Sequence, residues 1–372
     1  MSPFARLPLL LLGGVALVLG VLAGLVRLAA PLPVPELAAA QAGAHGALMI
    51  PAFLGTVISL ERAVALGRRW AYLAPLSAGL SGLALVAAMP MWVVHLLMIL
   101  AAAVLSTGSL WLFLRQPAQY LATLALGALC WLVGNLSWWL TGLMTLAVPW
   151  WMAFLVLTIA GERLELTRFL PMSTTRRHVF MAIVVGCLLG LVGAFWSAAV
   201  SLRLFGAGLL ALALWLLRCD IARRTVKQAG LTRFVASCLL AGYVWLMLGG
   251  VLALAGGLDV AQAGTPLRDA ALHTVFLGFV FSMIFGHAPI ILPAVARIRI
   301  GYHPFFYIPL LVLHASLLLR VLGDALFDAL PQLRGWAALG NGLALALFVG
   351  TMLTAAVRSR VYSTQGVSHA NP

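Results

Sequence analysis

The stretch that decides the fold class is residues 91–114, MWVVHLLMILAAAVLSTGSLWLFL, in which no Asp, Glu, Lys or Arg interrupts 24 residues. About 20 consecutive apolar residues suffice for an α-helix to cross the hydrocarbon of a bilayer, so this stretch predicts a transmembrane helix. Eleven further apolar segments divide the rest of the chain, at 7–30, 41–66, 70–89, 119–142, 146–169, 178–196, 198–218, 231–256, 269–294, 304–326 and 334–357. These runs lack the alternation of a membrane barrel, which excludes strands.

The composition of the whole chain agrees with this segmentation. Of the 372 residues, 63% are hydrophobic and 9% charged, and the mean hydropathy is +1.09. Soluble domains carry about 25% charged residues, so a soluble enzyme, a disordered regulator and a disulfide-stapled secreted module are all excluded. We predict an all-α polytopic membrane protein, with one transmembrane domain over residues 1–358 and a polar cytoplasmic tail over residues 359–372.

The net charge of +14 reports orientation rather than nucleic-acid binding, because Lys and Arg accumulate in the cytoplasmic loops of membrane proteins. With the N-terminus inside, 18 of the 23 basic residues fall on the inner side. The five that remain on the outer side are Arg27, Arg203, Arg268, Arg320 and Arg334. This alternation predicts twelve helices with both termini cytoplasmic.

A weak repeat links the second, sixth and tenth segments, which all run from outside to inside. The second ends in Glu61-Arg62 and the sixth in Glu162-Arg163, while the tenth carries His287 at the same depth. Since these segments are four apart in order, the pattern indicates three quasi-equivalent four-helix units, an internal symmetry familiar in membrane proteins.

Two histidines are predicted to lie in the same outer layer of the membrane. His45 lies in the first turns of the second segment and His273 in the first turns of the tenth. Two neutral imidazoles facing each other from different helices are what a low-spin haem iron or a copper ion requires. The alternative is two unrelated histidines, each hydrogen-bonded to a carbonyl, and the residues alone do not decide between the two.

A second layer of ionisable residues is predicted near the inner helix ends: Glu61, Arg62, Glu162, Arg163, Glu165 and His287, with His314 part-way along the eleventh segment. Such residues are costly inside a bilayer and therefore indicate a site. One interpretation is a proton or anion path; the favoured one is an ion-pair latch between helices. His287 precedes two prolines that free backbone carbonyls, which makes it the candidate for a further ligand or a proton carrier.

The layout resembles the haem–copper oxidase superfamily, and most of all its shorter relatives in the NnrS family of nitric-oxide-response membrane proteins. The match is carried by Ala44-His-Gly-Ala-Leu-Met49 and Leu272-His-Thr-Val-Phe-Leu-Gly278. It implies a pseudo-threefold ring of twelve helices, with a haem held near the outer face by His45 and His273. The sixth segment has no histidine and the seventh only His178, so the binuclear oxygen-reducing centre of that superfamily is missing and a turnover oxidase is not expected.

The leading functional hypothesis is therefore an inner-membrane protein that binds haem, with copper as the second choice, in nitric-oxide stress response or respiratory-chain maintenance. Its partners would be the lipid bilayer and proteins of respiratory or nitrogen-oxide pathways. Two alternatives stay open. One is a proton-coupled secondary transporter that uses Glu61, Glu162 and His287; the other is a cofactor-free membrane assembly factor.

Overall fold

The chain is mostly helical in residues 4–166, 173–298 and 300–368, which are the residues that the computed structural model describes, and no β-strand occurs in these ranges. The helices are α1 (Leu7–Arg27), α2 (Ala42–Leu66), α3 (Leu73–Val86), α4 (Met91–Arg115), α5 (Gln119–Thr141), α6 (Met144–Leu166), α7 (Thr174–Gly193), α8 (Ala198–Cys219), α9 (Gly230–Leu254), α10 (Pro266–Val295), α11 (Pro304–Ala325) and α12 (Leu333–Ser359). The all-helical prediction is confirmed for this part of the chain.

Eleven of these helices are long and apolar enough to cross a membrane. The exception is α3, which corresponds to the predicted segment 70–89 but has only 14 residues. At 1.5 Å per residue it extends about 21 Å, less than the hydrocarbon thickness of about 30 Å. A 3₁₀ turn, Arg69–Tyr72, precedes it and the α-helix ends at Val86, so it is shorter than the predicted segment at both ends.

Helix packing relies on glycines at the closest crossings. A Cβ at Gly134 of α5 would lie 2.6 Å from the indole of Trp151 on α6. A Cβ at Gly250 of α9 would lie 2.6 Å from the backbone of Leu210 on α8. Such small residues let helices approach closely inside a bilayer, where the hydrophobic effect gives no net attraction between them.

The outward-facing surface is apolar. Leu11, Leu140, Trp196 and Leu353 are 69%, 75%, 81% and 63% exposed; three of these side chains lie on α1, α5 and α12, and Trp196 lies in the turn after α7. A surface with large exposed apolar groups on this scale is a membrane contact rather than a soluble surface. The chain is therefore a multi-pass membrane protein, with the bilayer as its surroundings.

Two helices, α2 and α10, depart from α-helical geometry over part of their length. Leu48–Leu54 in α2 and Thr274–Phe281 in α10 are π-helical. Pro51 lies inside the first of these segments and donates no backbone hydrogen bond. At the other end of the chain, the last helix continues through Ser368, into the range predicted as a polar tail. Residues 369–372 lie outside the described residues.

Candidate functional site

The two outer histidines face each other. The ring centroids of His45 and His273 are 6.4 Å apart and their planes meet at 24°. Deeper in the same helices, Phe53 and Phe281 lie 6.2 Å apart at 23°. The π-helical parts of α2 and α10 therefore run side by side, with the histidine pair above and the phenylalanine pair below.

A cavity of about 380 Å³ opens between these helices, and both histidines line it. Its body is apolar, with Met49, Leu54 and Phe276 among the walls, while Arg and Asp side chains stand at its mouth. The volume lies within the range of about 300–1,000 Å³ that is typical of small-molecule and cofactor sites. A cavity with an apolar body and a charged mouth fits a ligand that is itself amphipathic.

The π-helical segments explain why so many residues of α2 and α10 line one cavity. Because π-helical hydrogen bonds join residues five apart, side chains spaced by four or five positions share a face. The lining residues follow this spacing from both helices: His45, Met49, Ile50 and Leu54 from α2, and Leu272, His273, Phe276, Leu277 and Phe281 from α10. Widened helical turns of this kind occur frequently at functional sites.

His45 is fixed by helix α1. Its Nδ1 lies 2.7 Å from the carbonyl oxygen of Gly20, which only accepts, so Nδ1 carries the proton and Nε2 keeps its lone pair. The ring lies against Gly24, where a Cβ would approach its Cε1 to 2.8 Å. The glycine at position 24 is therefore what allows the imidazole to reach the α1 backbone.

His273 has the same tautomer, held by a carboxylate as well as a carbonyl. Its Nδ1 lies 2.8 Å from the carbonyl oxygen of Asp269 and 3.2 Å from Oδ1 of the same residue. Its Nε2 lies 3.1 Å from Nη2 of Arg320, which donates to the remaining lone pair. A histidine whose Nδ1–H is held by a carboxylate has the orientation and basicity typical of metal-ligating imidazoles.

The mouth of the cavity is strongly positive. Four arginines but only one carboxylate, that of Asp269, are among its lining residues: Arg27, Arg268, Arg320 and Arg334. Arg320 holds Asp269 with two hydrogen bonds of 2.7 and 2.9 Å, and Arg334 pairs with Asp324 at 2.6 Å. The side chain of Arg268, 4% exposed, donates to three backbone carbonyls.

These arginines were not assigned to the site from the sequence, although their positions along the chain indicated that they were unusual. They are four of the five basic residues that the charge count leaves on the outer side, against the positive-inside tendency. The fifth, Arg203, is exposed and does not line the cavity. The basic residues that the sequence places on the outer side, against the positive-inside tendency, are therefore mostly residues that line the cavity.

Comparison with known proteins gives a family but no activity. The family described as "Domain of unknown function (DUF8744)" matches residues 6–357. The chain belongs to this family. No curated protein and no solved structure matches it. The match spans all twelve helices, so the histidine pair, the cavity and the arginines lie within the family's domain.

The layer of ionisable residues that includes Arg163 contains a buried ion pair. The sequence indicated Arg163 but not its partner Asp220. Arg163 of α6 binds Asp220 through two hydrogen bonds of 2.7 and 2.9 Å. The hydroxyl of Tyr243 donates to the same carboxylate at 2.8 Å, and the backbone N–H of Ala222 donates at 2.7 Å. Burial favours a raised pKa for Asp220, but the hydrogen bonds and charge of Arg163 outweigh it and the pKa is lowered.

Glu61, Arg62 and Glu162 form a neighbouring group, in which the charges of Glu61 and Arg62 act on Glu162 and the charge of Arg163 reaches it as well. None of the three lines the outer cavity. The residue that sequence reasoning missed here is Asp220, which follows the last residue of α8 and looks like an ordinary loop carboxylate. Only the approach of α6 and α9 makes it the partner of Arg163.

His287 and His314 differ in what their rings offer. Nδ1 of His287 donates to the carbonyl of Met283 at 2.8 Å, so its Nε2 keeps a lone pair. Within the described ranges this buried atom has no hydrogen-bond partner. His314 accepts at Nδ1 from the indole N–H of Trp245, 2.9 Å away, so its Nε2 carries the proton and is no ligand atom. Neither histidine lines the outer cavity.

Proposed function

We propose that this chain is an inner-membrane haem-binding protein in which His45 and His273 would hold the haem iron. The observation that carries the proposal is the 6.4 Å separation of the two ring centroids across the cavity. Imidazole nitrogens bind transition-metal ions at about 2 Å, so two imidazoles on opposite sides of one ion have ring centroids roughly 6 Å apart. At this distance the rings are also too far apart for face-to-face contact.

The protonation of both rings supports the same assignment. Each Nδ1 donates to a carbonyl, from Gly20 for His45 and from Asp269 for His273. Iron is bound by the neutral imidazole through the other nitrogen; Nε2 of each ring is unprotonated, and that of His273 also accepts a hydrogen bond from Arg320. The ordinary alternative, a histidine that merely satisfies a carbonyl, does not account for two such rings meeting across one cavity.

The donor set favours haem over copper. In the described part of the chain, no group of three or more His, Cys, Asp or Glu side chains is arranged to hold a metal ion. Two imidazoles suffice for haem iron, because the macrocycle supplies the remaining nitrogens. When bound, haem supplies one-electron transfer and the binding of small gases.

The rest of the cavity supports an amphipathic macrocycle. The apolar side chains of Met49, Leu54 and Phe276 would exclude water from its faces. The carboxylates of the macrocycle would lie at the mouth, where Arg320 and Arg334 stand, because charge-assisted bonds between guanidinium and carboxylate are the strong ones. Asp269 would orient His273 and hold Arg320 in place.

The biological role follows from the resemblance alone. By similarity to the NnrS family, the protein would act in nitric-oxide stress response or respiratory-chain maintenance, with proteins of those pathways as partners. It would lie in the bacterial inner membrane as twelve helices in a pseudo-threefold ring, with both termini in the cytoplasm. The missing histidines of the sixth and seventh segments argue against turnover as an oxidase.

The test compares haem content in matched histidine variants purified from haem-replete cells. His45→Ala and His273→Ala should each lose the low-spin haem spectrum. His178→Ala removes an exposed histidine at the start of α7 and should keep it. Full haem content in His45→Ala would show that the ligand assignment is wrong.

A further inference from the structure

A second surface of the protein carries positive charge without any role in the haem proposal. Residues 218–233, which join α8 to α9, include five basic residues: Arg218, Arg223, Arg224, Lys227 and Arg233. All five side chains are exposed. The charge distribution of the sequence assigns this end of the bundle to the cytoplasmic side.

The single acidic residue between positions 173 and 254 is Asp220, and it does not neutralise this surface. Its carboxylate points inward, where it is 1% exposed and bonded to Arg163 and Tyr243. The same carboxylate accepts from the backbone N–H of Ala222, at the start of the short helix Ala222–Thr225. The buried ion pair therefore anchors the basic loop and leaves its cations uncompensated.

An open apolar groove of about 460 Å³ adjoins this loop on the outside of the bundle. It is lined by Leu217, Arg223, Val226, Leu240, Ala241 and Val244. Leu240 and Val244 are one turn apart on α9, and Val244 is 51% exposed, so the groove runs along a helix face that the bilayer covers. Arg223 is the charged residue of its lining.

We propose that this groove binds an anionic phospholipid, with the phosphate of the headgroup on Arg223 and an acyl chain along Leu240 and Val244. Arg224 and Lys227 add to the positive potential around the headgroup. Basic pockets between membrane helices on the cytoplasmic side are suited to anionic headgroups. The apolar groove beside the charge favours a lipid over a free anion, because only a lipid has an acyl chain to occupy the groove.

The test measures lipid retention by native mass spectrometry of the full-length protein, titrated with phosphatidylglycerol or phosphatidylcholine. The wild type should retain phosphatidylglycerol preferentially. One basic residue near an anionic headgroup contributes a factor of about five to binding, so Arg223→Gln should weaken retention about fivefold and the additional changes Arg224→Gln and Lys227→Gln should weaken it further. Arg203→Gln, an exposed arginine at the other end of α8, should behave as the wild type.

A second variant tests the groove independently of charge. Val244→Trp fills the groove from an exposed position and should reduce phosphatidylglycerol retention, with thermal stability in detergent unchanged. Inorganic phosphate at millimolar concentration should not displace the lipid. The proposal is overturned if the triple variant retains phosphatidylglycerol as the wild type does, if phosphatidylcholine is retained equally well, or if phosphate alone displaces the lipid.

Discussion

Arg320 donates from Nη2 to Nε2 of His273 over 3.1 Å, so one guanidinium occupies the nitrogen that the haem proposal assigns to iron. The same guanidinium holds the Asp269 carboxylate through two hydrogen bonds. His45, in contrast, keeps its Nε2 free of Arg320. The two histidines are therefore inequivalent, because Nε2 of His273 would be open to iron only after losing its hydrogen bond to Arg320.

This relationship predicts that the carboxylates of the ligand control the coordination of His273. Haem, which carries two carboxylates, should bind the wild type with both histidines and give a low-spin spectrum. The dimethyl ester of haem should bind at least about tenfold more weakly, since each lost bond to a charged group contributes about 1.5–3 kcal/mol. The ester should also give a high-spin spectrum, because without the ligand carboxylates Arg320 keeps its hydrogen bond to Nε2 of His273.

Arg320→Met serves as the matched variant for that experiment, because it keeps an unbranched apolar stem but removes the charge and the donor. With the ester, this variant should regain the low-spin spectrum. Arg203→Met, which changes an outer arginine away from the cavity, should behave as the wild type. Identical low-spin spectra of the acid and the ester in the wild type would contradict the role of Arg320 and leave the histidine assignment intact.

The contact between Gly24 and His45 gives a second prediction. A Cβ at Gly24 would come within 2.8 Å of the His45 ring, so Gly24→Ala should push the imidazole away from α1 and reduce haem content severalfold. Gly14→Ala places the same methyl group on the same helix where nothing lies within 4 Å. Haem content measured by absorbance per protein should separate the two, and equal content would argue against the observed position of His45.

His287 provides a prediction about the inner layer. Since it does not line the outer cavity, His287→Ala should keep the complete low-spin spectrum. Loss of the haem in this variant, with thermal stability retained, would mean that His287 is a ligand after all. The same variant in a proton-uptake assay would test its free Nε2 as a proton carrier.

The buried pair of Arg163 and Asp220 predicts a large effect on stability. Asp220→Asn should lower the free energy of unfolding by about 3–5 kcal/mol, because it removes the negative charge that the buried Arg163 guanidinium pairs with. Tyr243→Phe should cost about 2 kcal/mol, through one lost hydrogen bond to a charged acceptor. Unfolding in detergent, followed by helical circular dichroism, measures both, and an unchanged Asp220→Asn variant would contradict the latch.

The pH dependence of that stability follows from the lowered pKa of Asp220, whose ordinary value is 3.8. A carboxyl group with a lower pKa in the folded state stabilises the protein above its unfolded pKa and loses this contribution as the pH falls through the folded value. The difference between wild type and Asp220→Asn should therefore stay constant from neutral pH to about pH 4 and shrink only below it.

Much of the fold was predictable because hydrophobic length determines membrane helices directly. The exception is α3. Its predicted segment begins at Trp70, but the turn Arg69–Tyr72 is 3₁₀ and the α-helix begins only after it. The depth match of His45 and His273 was also predictable, since both lie in the first turns of helices that start at the same face. Their separation and ring orientation were not, because these depend on the π-helical geometry of α2 and α10.

The remaining site residues required tertiary structure. The carbonyl of Gly20 has no sequence signature, and the role of Asp269 depends on Arg320, 51 positions away. Asp220 becomes a buried partner only because α6 and α9 approach the end of α8. The outer arginines were the exception, since their position against the positive-inside tendency was visible in the sequence.

Haem binding is tested by a reduced-minus-oxidised absorption spectrum of the wild-type protein, purified in detergent from haem-replete cells, with haem and metal content measured on the same sample. We expect about one haem per chain with a low-spin spectrum. A folded protein without colour or metal would contradict it. If such a protein supported pH-dependent uptake in vesicles that required Glu61, Glu162 and His287, it would be a transporter instead.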